Sequence, residues 1–227
     1  MKDINSLKDK YKNKKCYILG TGPSLTKEIL DKTKDGVVIS MSGIVFAKKL
    51  WNFEPDYLIS VDYKNFSDNK TWNLIKSSNA EVILSKWIIL KANQFGYQYT
   101  PEQFTWIRDQ YLVEFSNKEL WKPRLKSETD ISFDLNEGSY ICGTGILDLA
   151  IPLAVWMGFK EIYLAGCDCK PNGHYYDHKT DEDDYGPNDM SVINQYSLMA
   201  NTLNKLGINI YNYTNTEESC PGIQKVK

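Results

Sequence analysis

A glycine-rich turn near the start of the chain is the first segment whose residue types and spacing could carry chemistry. It follows the apolar run CYILG at 16–20 and consists of Gly20, Thr21, Gly22, Pro23 and Ser24. Between a strand and a helix, such glycines let the backbone approach a phosphate, and the helix N-terminus adds free N–H groups. Pro23 suits a first helical turn because proline has no N–H to lose. The turn therefore predicts an anion or nucleotide site, with a tight turn that binds no ligand as the alternative.

Neighbouring residues argue against two common nucleotide fingerprints. A dinucleotide site needs a third small residue where this chain has Leu25, and an acidic residue about 20 positions later. Position 40 is Ser. A P-loop needs Gly-Lys-Ser/Thr, and that triplet does not follow the turn. The turn is therefore not expected to bind NAD(P) or to form a P-loop.

Short polar or acidic residues also follow three later apolar runs. Ser42 comes after the second run, Asp62 after the third, and Asp168 after the run EIYLAG. In an open parallel sheet, ligands bind beyond the carboxyl ends of the strands. We therefore expect these side chains at the same rim as the glycine turn, although Asp and Ser are also common helix caps.

The chain has two histidines, His174 and His178, within the segment GHYYDH. Histidine is the usual general base near neutral pH. A zinc site is not favoured, because Cys167 and Cys169 lack the spacing of structural zinc ligands. The acidic run at 181–184 is interpreted as a solvated loop tip, with a Mg²⁺ site of carboxylate oxygens as the alternative.

Composition excludes several classes of protein. The chain has 227 residues, of which 42% are apolar and 25% charged, as expected of a globular protein and not of a disordered one. Its net charge of −2 argues against nucleic acid as a partner. Five cysteines, an odd number, predict thiols in a reducing compartment. Residues 1–15 lack the apolar core of a secretory signal, and the apolar stretch at 145–158 is too short to span a bilayer. We expect a cytoplasmic protein.

Alternation of strand-like and helix-like segments predicts the fold. Mostly unbroken apolar runs predict strands at 16–20, 36–41, 56–61, 80–85, 161–166 and 208–213. Segments of helical character lie at 24–32, 43–51, 65–78, 145–157 and 190–206, and Gly207 follows the last as a C-terminal cap. This order predicts a single α/β domain over 1–227, with a Rossmann-like open, mostly parallel sheet and helices on both faces. Residues 86–138, rich in aromatic residues and without a clear period, are predicted to form a lid or insertion over the sheet edge.

Two stretches of the chain resemble known families. Residues 18–25, ILGTGPSL, resemble the opening loop shared by bacterial lipooligosaccharide sialyltransferases and by the family named after an archaeal 6-hydroxymethylpterin diphosphokinase, which includes flagellin glycosylation factors. Residues 144–168, ending in GFKEIYLAGCD, resemble the later helix–strand unit of the sialyltransferases. The His-Tyr-x-x-His segment that follows is similar to the region that holds their general base.

The sialyltransferase resemblance implies a reaction and a set of roles. A sugar, favoured to be an acidic one, would pass from a CMP-activated donor to a glycan hydroxyl with inversion, without an essential metal. The resemblance implies His178 as the general base and Tyr175 or Tyr176 as stabilisers of the departing phosphate. It also implies that Thr144 and Gly145 contact the nucleotide beside the glycine turn.

Departures from that family leave two alternatives open. The sialyltransferases carry asparagines at nucleotide-holding positions where this chain has Thr21, Ser42 and Asp62, and the segment at 55–62 is closer to the pterin-kinase-named family. An Asp in place of an amide changes both charge and hydrogen-bond direction beside a nucleotide. One alternative is a diphosphokinase acting on a pterin-like alcohol, with Mg²⁺ held by Asp62 and by Asp168 or the acidic run. The other is a nucleotide-binding module without turnover.

The lysine-rich start of the chain bears on the partners. Six lysines lie within residues 1–15, and clustered lysines attract anionic lipid by about 1 kcal/mol each close to the surface. This predicts peripheral contact with the inner face of a membrane, which suits a lipid-linked glycan acceptor; a solvated first helix is the alternative. The expected partners are therefore a nucleotide-sugar donor and a glycan or lipid-linked glycan acceptor. A homo-oligomer is compatible with the sequence, which does not specify it.

Overall fold

The computed structural model describes most of the α/β core. The described residues are 1–61, 68–86, 88–89, 94, 96, 99–113, 127–128, 131–137, 144–168, 175–176, 190–214 and 223–226, with only the backbone given at 190–193.

Seven strands form one parallel sheet. They are β1 Lys15–Leu19, β2 Val37–Met41, β3 Tyr57–Ser60, β4 Glu81–Ser85, β5 Tyr111–Val113, β6 Glu161–Ala165 and β7 Asn209–Asn212. Their order in space is β5-β4-β3-β2-β1-β6-β7, and every neighbouring pair is parallel. The six predicted strands are all present, and the prediction of a Rossmann-like open parallel sheet is confirmed.

Helices and short turns connect the strands. The α-helices are α1 Lys27–Asp31, α2 Val45–Trp51, α3 Asn69–Lys76, α4 Pro101–Arg108, α5 Ile151–Trp156 and α6 Met190–Lys205. Shorter 3₁₀ turns cover Ile4–Leu7, Lys32–Asp35 and Ser42–Ile44, and a π-helical segment, Ile146–Ala150, leads into α5. As predicted, α6 ends at a left-handed glycine: Gly207 has a φ of 68°. The N–H of Ile208 then reaches back to the carbonyl of Leu203 at 2.9 Å, which satisfies a carbonyl of the last turn.

The sheet is covered on both faces because its strands alternate between two apolar layers. Ile18 of β1 belongs to the layer that includes Leu153 of α5 and Leu203 of α6. The next residue, Leu19, faces the layer formed with α2, α3 and α4. Burial on both faces explains why the strands appear in the sequence as unbroken apolar runs.

The range 86–138 contains elements that the sequence did not reveal. Residues of α4 and β5 lie within it, and β5 extends the sheet by pairing with β4. The three-residue strand Tyr111–Val113 is too short to leave a periodic signal. The lid or insertion itself stays a prediction, because most of the rest of this range lies outside the described residues.

The N-terminal segment packs against the core. Leu7 is 1% exposed, and the indole Nε1 of Trp156 donates to the carbonyl of Ile4 at 3.1 Å. Its lysines partly contact the chain itself: Lys8 Nζ lies 4.5 Å from the Trp156 ring centroid, and Lys10 Nζ donates to Tyr57 Oη at 2.9 Å. Among the helices that the structure describes, none is long and apolar enough to cross a membrane.

Candidate functional site

The central pair of strands, β1 and β6, marks the switch point of the sheet. From β1 the chain proceeds through β2 to β5 on one side, and from β6 to β7 on the other. Connections leave the two strands in opposite directions, so a crevice opens beyond their carboxyl ends, where ligands of such sheets bind. The glycine loop, residues 20–25, follows β1, and Gly166–Cys167–Asp168 follows β6.

Main-chain amides of the glycine loop are used within the protein. The N–H of Gly20 donates to Ala165 O and that of Gly22 to Gly166 O, both at 2.8 Å. The N–H of Leu25 donates to Gly22 O at 3.0 Å. The N–H of Ser24 donates to Oδ2 of Asp168 at 2.8 Å. At these four positions the main-chain amide already has an acceptor within the protein, and nucleotide contact by the turn stays a prediction.

The position of the Asp168 side chain leaves room only for a glycine at position 22. A Cβ at Gly22 would lie 2.2 Å from Asp168 Oδ2 and 2.6 Å from its Cγ, both inside van der Waals contact. The glycine thus makes room for a carboxylate from the neighbouring loop. The sequence pattern identified the glycine but not this reason for it.

Two polar atoms at this contact are left without partners. In the described part of the chain, Asp168 Oδ1 and Ser24 Oγ are buried and make no hydrogen bond. Buried polar atoms normally have partners, so an unpaired carboxylate oxygen beside an unpaired hydroxyl calls for an explanation. The pair lies at the switch point and could accept hydrogen bonds from a ligand.

The first helix begins farther from the loop than predicted. We expected it to start at residue 24 with Pro23 in its first turn, but α1 starts at Lys27. Thr26 caps it, its Oγ1 accepting from Ile29 N at 3.3 Å. Pro23 therefore lies in the turn before the helix. The hydroxyl of Thr26 accepts a hydrogen bond from a main-chain N–H of the first turn of this five-residue helix.

Tyr175 fixes its own segment to the loops after β1 and β2. Its N–H donates to Thr21 O at 3.0 Å, and its Oη donates to Gly43 O at 3.1 Å. The ring stacks on Trp51 at 4.8 Å between centroids, and the residue is 8% exposed. Burial raises the pKa of Tyr175, with a smaller contribution from Tyr176, so the phenol stays protonated and remains a donor. These contacts indicate an anchoring role.

Tyr176 is the less buried of the two tyrosines. Its ring lies 4.4 Å from that of Phe46, measured between centroids. A Cβ on Gly43 would be 2.9 Å from Tyr176 Oη and 2.9 Å from Thr21 Cγ2. The hydroxyl of Tyr176 therefore lies at the rim, close to the ends of β1 and β2, where a phenol could donate to a developing negative charge. Lys70 Nζ, 5.2 Å from the Phe46 ring centroid, adds a positive charge nearby.

Three of the residues predicted to contact the nucleotide lie near the end of β2 or at the start of the π-helical segment. Ser42 is buried and begins the 3₁₀ turn after β2. Thr144 Oγ1 accepts from Leu147 N at 3.3 Å, a capping role within its own segment. A Cβ on Gly145 would lie 2.1 Å from Met41 Cε, so this glycine permits close approach of the π-helical segment to β2. Their nucleotide contacts stay predictions.

The structure thus brings together the glycine loop, Ser42, Gly145, Asp168 and Tyr176 around one end of the sheet. His178 and Asp62 lie outside the described residues, as do His174 and the acidic run at 181–184. Within the described ranges, no three His, Cys, Asp or Glu side chains form a group that could hold a metal ion. Phe46 and Lys70 were missed, because nothing in their local sequence distinguishes them from other surface residues of amphipathic helices.

The fold and this crevice define the class of the protein as a Rossmann-like α/β protein with its candidate site at the switch point. The family model described as 6-hydroxymethylpterin diphosphokinase MptE-like matches residues 1–173, and the chain belongs to that family. The family resemblance predicted from the glycine turn is confirmed. The matched segment includes Asp168 but ends before both histidines.

Solved structures of two glycosyltransferases have a similar fold. The MAf glycosyltransferase from Magnetospirillum magneticum AMB-1 matches 99% of this chain at 12% identity with a TM-score of 0.53. This chain spans 37% of that protein's length. The sialyltransferase CST-II, solved with a trisaccharide acceptor and CMP, matches over 94% of this chain and 89% of its own, at 15% identity and a TM-score of 0.52. The comparison with curated proteins gives no significant match.

Proposed function

We propose that the protein is a glycosyltransferase that transfers a sugar from a nucleotide-activated donor, with an acidic CMP-linked sugar favoured. The observation that carries this proposal is the position of the Tyr176 hydroxyl at the switch-point rim, packed over Gly43 and beside Thr21. A donor group at that position suits a leaving phosphate. The fold shared with a sialyltransferase solved with CMP supports the choice of nucleotide.

In the proposed reaction His178 acts as the general base. It takes the proton of an acceptor hydroxyl while the hydroxyl oxygen attacks the anomeric carbon of the donor sugar. The bond from that carbon to the phosphate oxygen breaks, CMP leaves, and the configuration inverts. The Tyr176 hydroxyl donates to the departing phosphate, and His178 later returns its proton to solvent. No metal is required by these steps, although Mg²⁺ could accompany the nucleotide.

The acceptor is proposed to be a glycan or a lipid-linked glycan on the cytoplasmic side of a membrane. The N-terminal lysines would supply peripheral contact, which can be measured by co-sedimentation with anionic vesicles at low and high salt. Binding that salt abolishes supports this contact, and absence of binding at low salt contradicts it.

A donor panel tests the reaction. Purified protein is incubated with CMP-, UDP- and GDP-linked sugars and a mixture of glycan acceptors, and release of free nucleotide is compared with and without acceptor. We expect acceptor-dependent release of CMP, abolished by His178→Ala and retained by the matched variant His174→Ala. Nucleotide binding without release from any donor would favour the non-catalytic module.

Family membership favours a second candidate, a diphosphokinase acting on a pterin-like alcohol. The alcohol oxygen would attack the β-phosphorus of ATP, and the α–β bridge would break to release AMP. The triphosphate charge requires Mg²⁺ in such a reaction. Formation of AMP from ATP that needs both a hydroxymethylpterin and Mg²⁺ would establish this candidate over glycosyl transfer.

A further inference from the structure

We propose that Asp168 and Ser24 bind the ribose hydroxyls of the nucleotide, so that the glycine loop holds the sugar of the nucleoside and not its phosphate. The inference rests on the proposed function only in taking a nucleotide as the ligand. It assigns to these two side chains a ligand group that neither the sequence pattern nor the family match specifies.

The first observation is that the loop has few donors to give. The amides of Gly20, Gly22, Ser24 and Leu25 all donate within the protein, and Pro23 has none. A phosphate cradle depends on several converging main-chain N–H groups. With these four amides in use, the glycine loop lacks the several converging donors of a phosphate cradle, even though its sequence resembles one.

The second observation is the charge beside the loop. The carboxyl group of Asp168 contacts the loop directly, with Oδ2 at 2.8 Å from Ser24 N. A phosphate placed on the loop would lie next to a carboxylate in a partly buried site, where like charges repel strongly. A group that donates hydrogen bonds is favoured there instead.

The third observation is the pair of unpaired acceptors. In the described ranges, Asp168 Oδ1 and Ser24 Oγ make no hydrogen bond, and they belong to two residues already joined by one hydrogen bond. Two adjacent acceptors match the two adjacent hydroxyls of a ribose. Both atoms are buried without ligand, so entry of the ribose requires a small separation of the surrounding side chains.

The position of the acid agrees with the geometry of nucleotide-binding sheets. In dinucleotide-binding folds an acidic residue beyond β2 receives the ribose hydroxyl. Here Ser40 of β2 is buried, and its hydroxyl already donates to Leu19 O at 2.9 Å. Asp168, beyond the strand on the other side of β1, supplies the acid from the opposite wall of the same crevice.

Paired nucleotides test the proposal without any turnover. Dissociation constants are measured by calorimetry in EDTA for CMP and AMP, each against its 2′,3′-dideoxy counterpart. For whichever nucleotide binds, we expect the dideoxy form to bind about 10-fold more weakly, as loss of hydrogen bonds to a charged group predicts. Asp168→Asn should reduce that ratio towards 1, while its amide oxygen still accepts from Ser24 N–H and preserves the loop.

Two further variants serve as controls for the ratio. Ser24→Ala should partly lower the ratio of the two dissociation constants. Asp35→Asn should leave it unchanged, because the carboxylate of Asp35 lies at the far end of the sheet. Equal binding of the parent and dideoxy nucleotides by the native protein would overturn the inference while leaving nucleotide binding intact. The inference also fails if Asp168→Asn instead removes discrimination between CMP and UMP, because the contact is then to a base amino group. If no nucleotide binds at all, the proposed function fails together with the inference.

Discussion

Ser24 and Asp168, 144 positions apart in the chain, are joined by a 2.8 Å hydrogen bond from the main-chain N–H of Ser24 to the carboxylate of Asp168. The bond crosses the crevice between the loops after β1 and β6. It connects the glycine-rich turn that the sequence makes conspicuous to an acid whose importance is visible only in three dimensions. Several expectations about stability and activity depend on this contact and on the tyrosines beside it.

Gly22→Ala should destabilise the protein because its Cβ would overlap Asp168 Oδ2. Forced overpacking of this kind costs about 1–3 kcal/mol of unfolding free energy. In an Asp168→Gly background the obstructing atoms, which include the Cβ of Asp168, are all gone, so the same substitution should cost much less. Urea denaturation of the two single variants and the double variant measures this coupling. Strictly additive costs would show that Gly22 is required for another reason.

Tyr175→Phe and Tyr176→Phe should separate stability from activity. Loss of the Tyr175 hydroxyl removes its hydrogen bond to Gly43 O and should lower the unfolding free energy by about 1 kcal/mol. Loss of the Tyr176 hydroxyl should lower kcat by about 100-fold, the scale of losing one donor to a developing charge. Thermal melts and steady-state kinetics on both variants check the distinction. If the proposed transfer has the same kcat in Tyr176→Phe as in the native protein, this tyrosine takes no part in the chemistry.

Part of the stability of α3 should depend on pH through the carboxyl group of Asp68. Its carboxylate accepts from the Thr71 hydroxyl and from the N–H groups of Thr71 and Lys70, which lower the pKa of Asp68 in the folded protein. A pKa below the unfolded value means that this stabilisation is present above about pH 4 and is lost as pH falls through the folded pKa. Asp68→Ala should therefore cost about 1 kcal/mol at pH 7.

Chemical denaturation at pH 7 and near pH 3 measures this dependence for Asp68. The cost of Asp68→Ala should shrink at the lower pH, while Asp68→Asn, which keeps an acceptor oxygen, should lose less at pH 7. A cost that is the same at both values would contradict a role for the charge.

Leu7→Ala should show that the N-terminal segment is part of the folded domain. This side chain is 1% exposed within the main apolar layer, and truncating such a residue usually costs about 2–5 kcal/mol. Lys8→Ala, which loses a cation–π contact with the ring of Trp156, should cost about 1 kcal/mol or less. Comparable small effects from both would mean that the segment is dispensable for folding.

Strands and helices were predictable where the sequence carries a strong local signal. Runs such as EVILS and EIYLA are apolar because their strands are buried on both faces, so β4 and β6 could be assigned without a structure. The helix α4 escaped prediction although Thr100 and Gln103 form a capping box before it, a signal present in the sequence. Aromatic residues on both sides obscured that signal.

The candidate site was less predictable, because its chemistry depends on pairings over long distances. Gly22 and Asp168 could each be selected from the sequence, but not the fact that one makes room for the other. Tyr175 and Tyr176 are identical and adjacent, and only their tertiary contacts separate an anchor from a candidate catalytic group. Which amides are free is likewise a property of tertiary structure.

Tyr175 joins two loops through a single side chain and its own main chain, to Thr21 on one side and to Gly43 on the other. The loops after β1 and β2 therefore share one attachment point and are expected to shift in concert. Among relatives of this protein, substitutions at Tyr175 should consequently be accompanied by compensating changes in both loops. New ligand specificities at this site would then arise by correlated replacement of several residues, and seldom by one substitution alone.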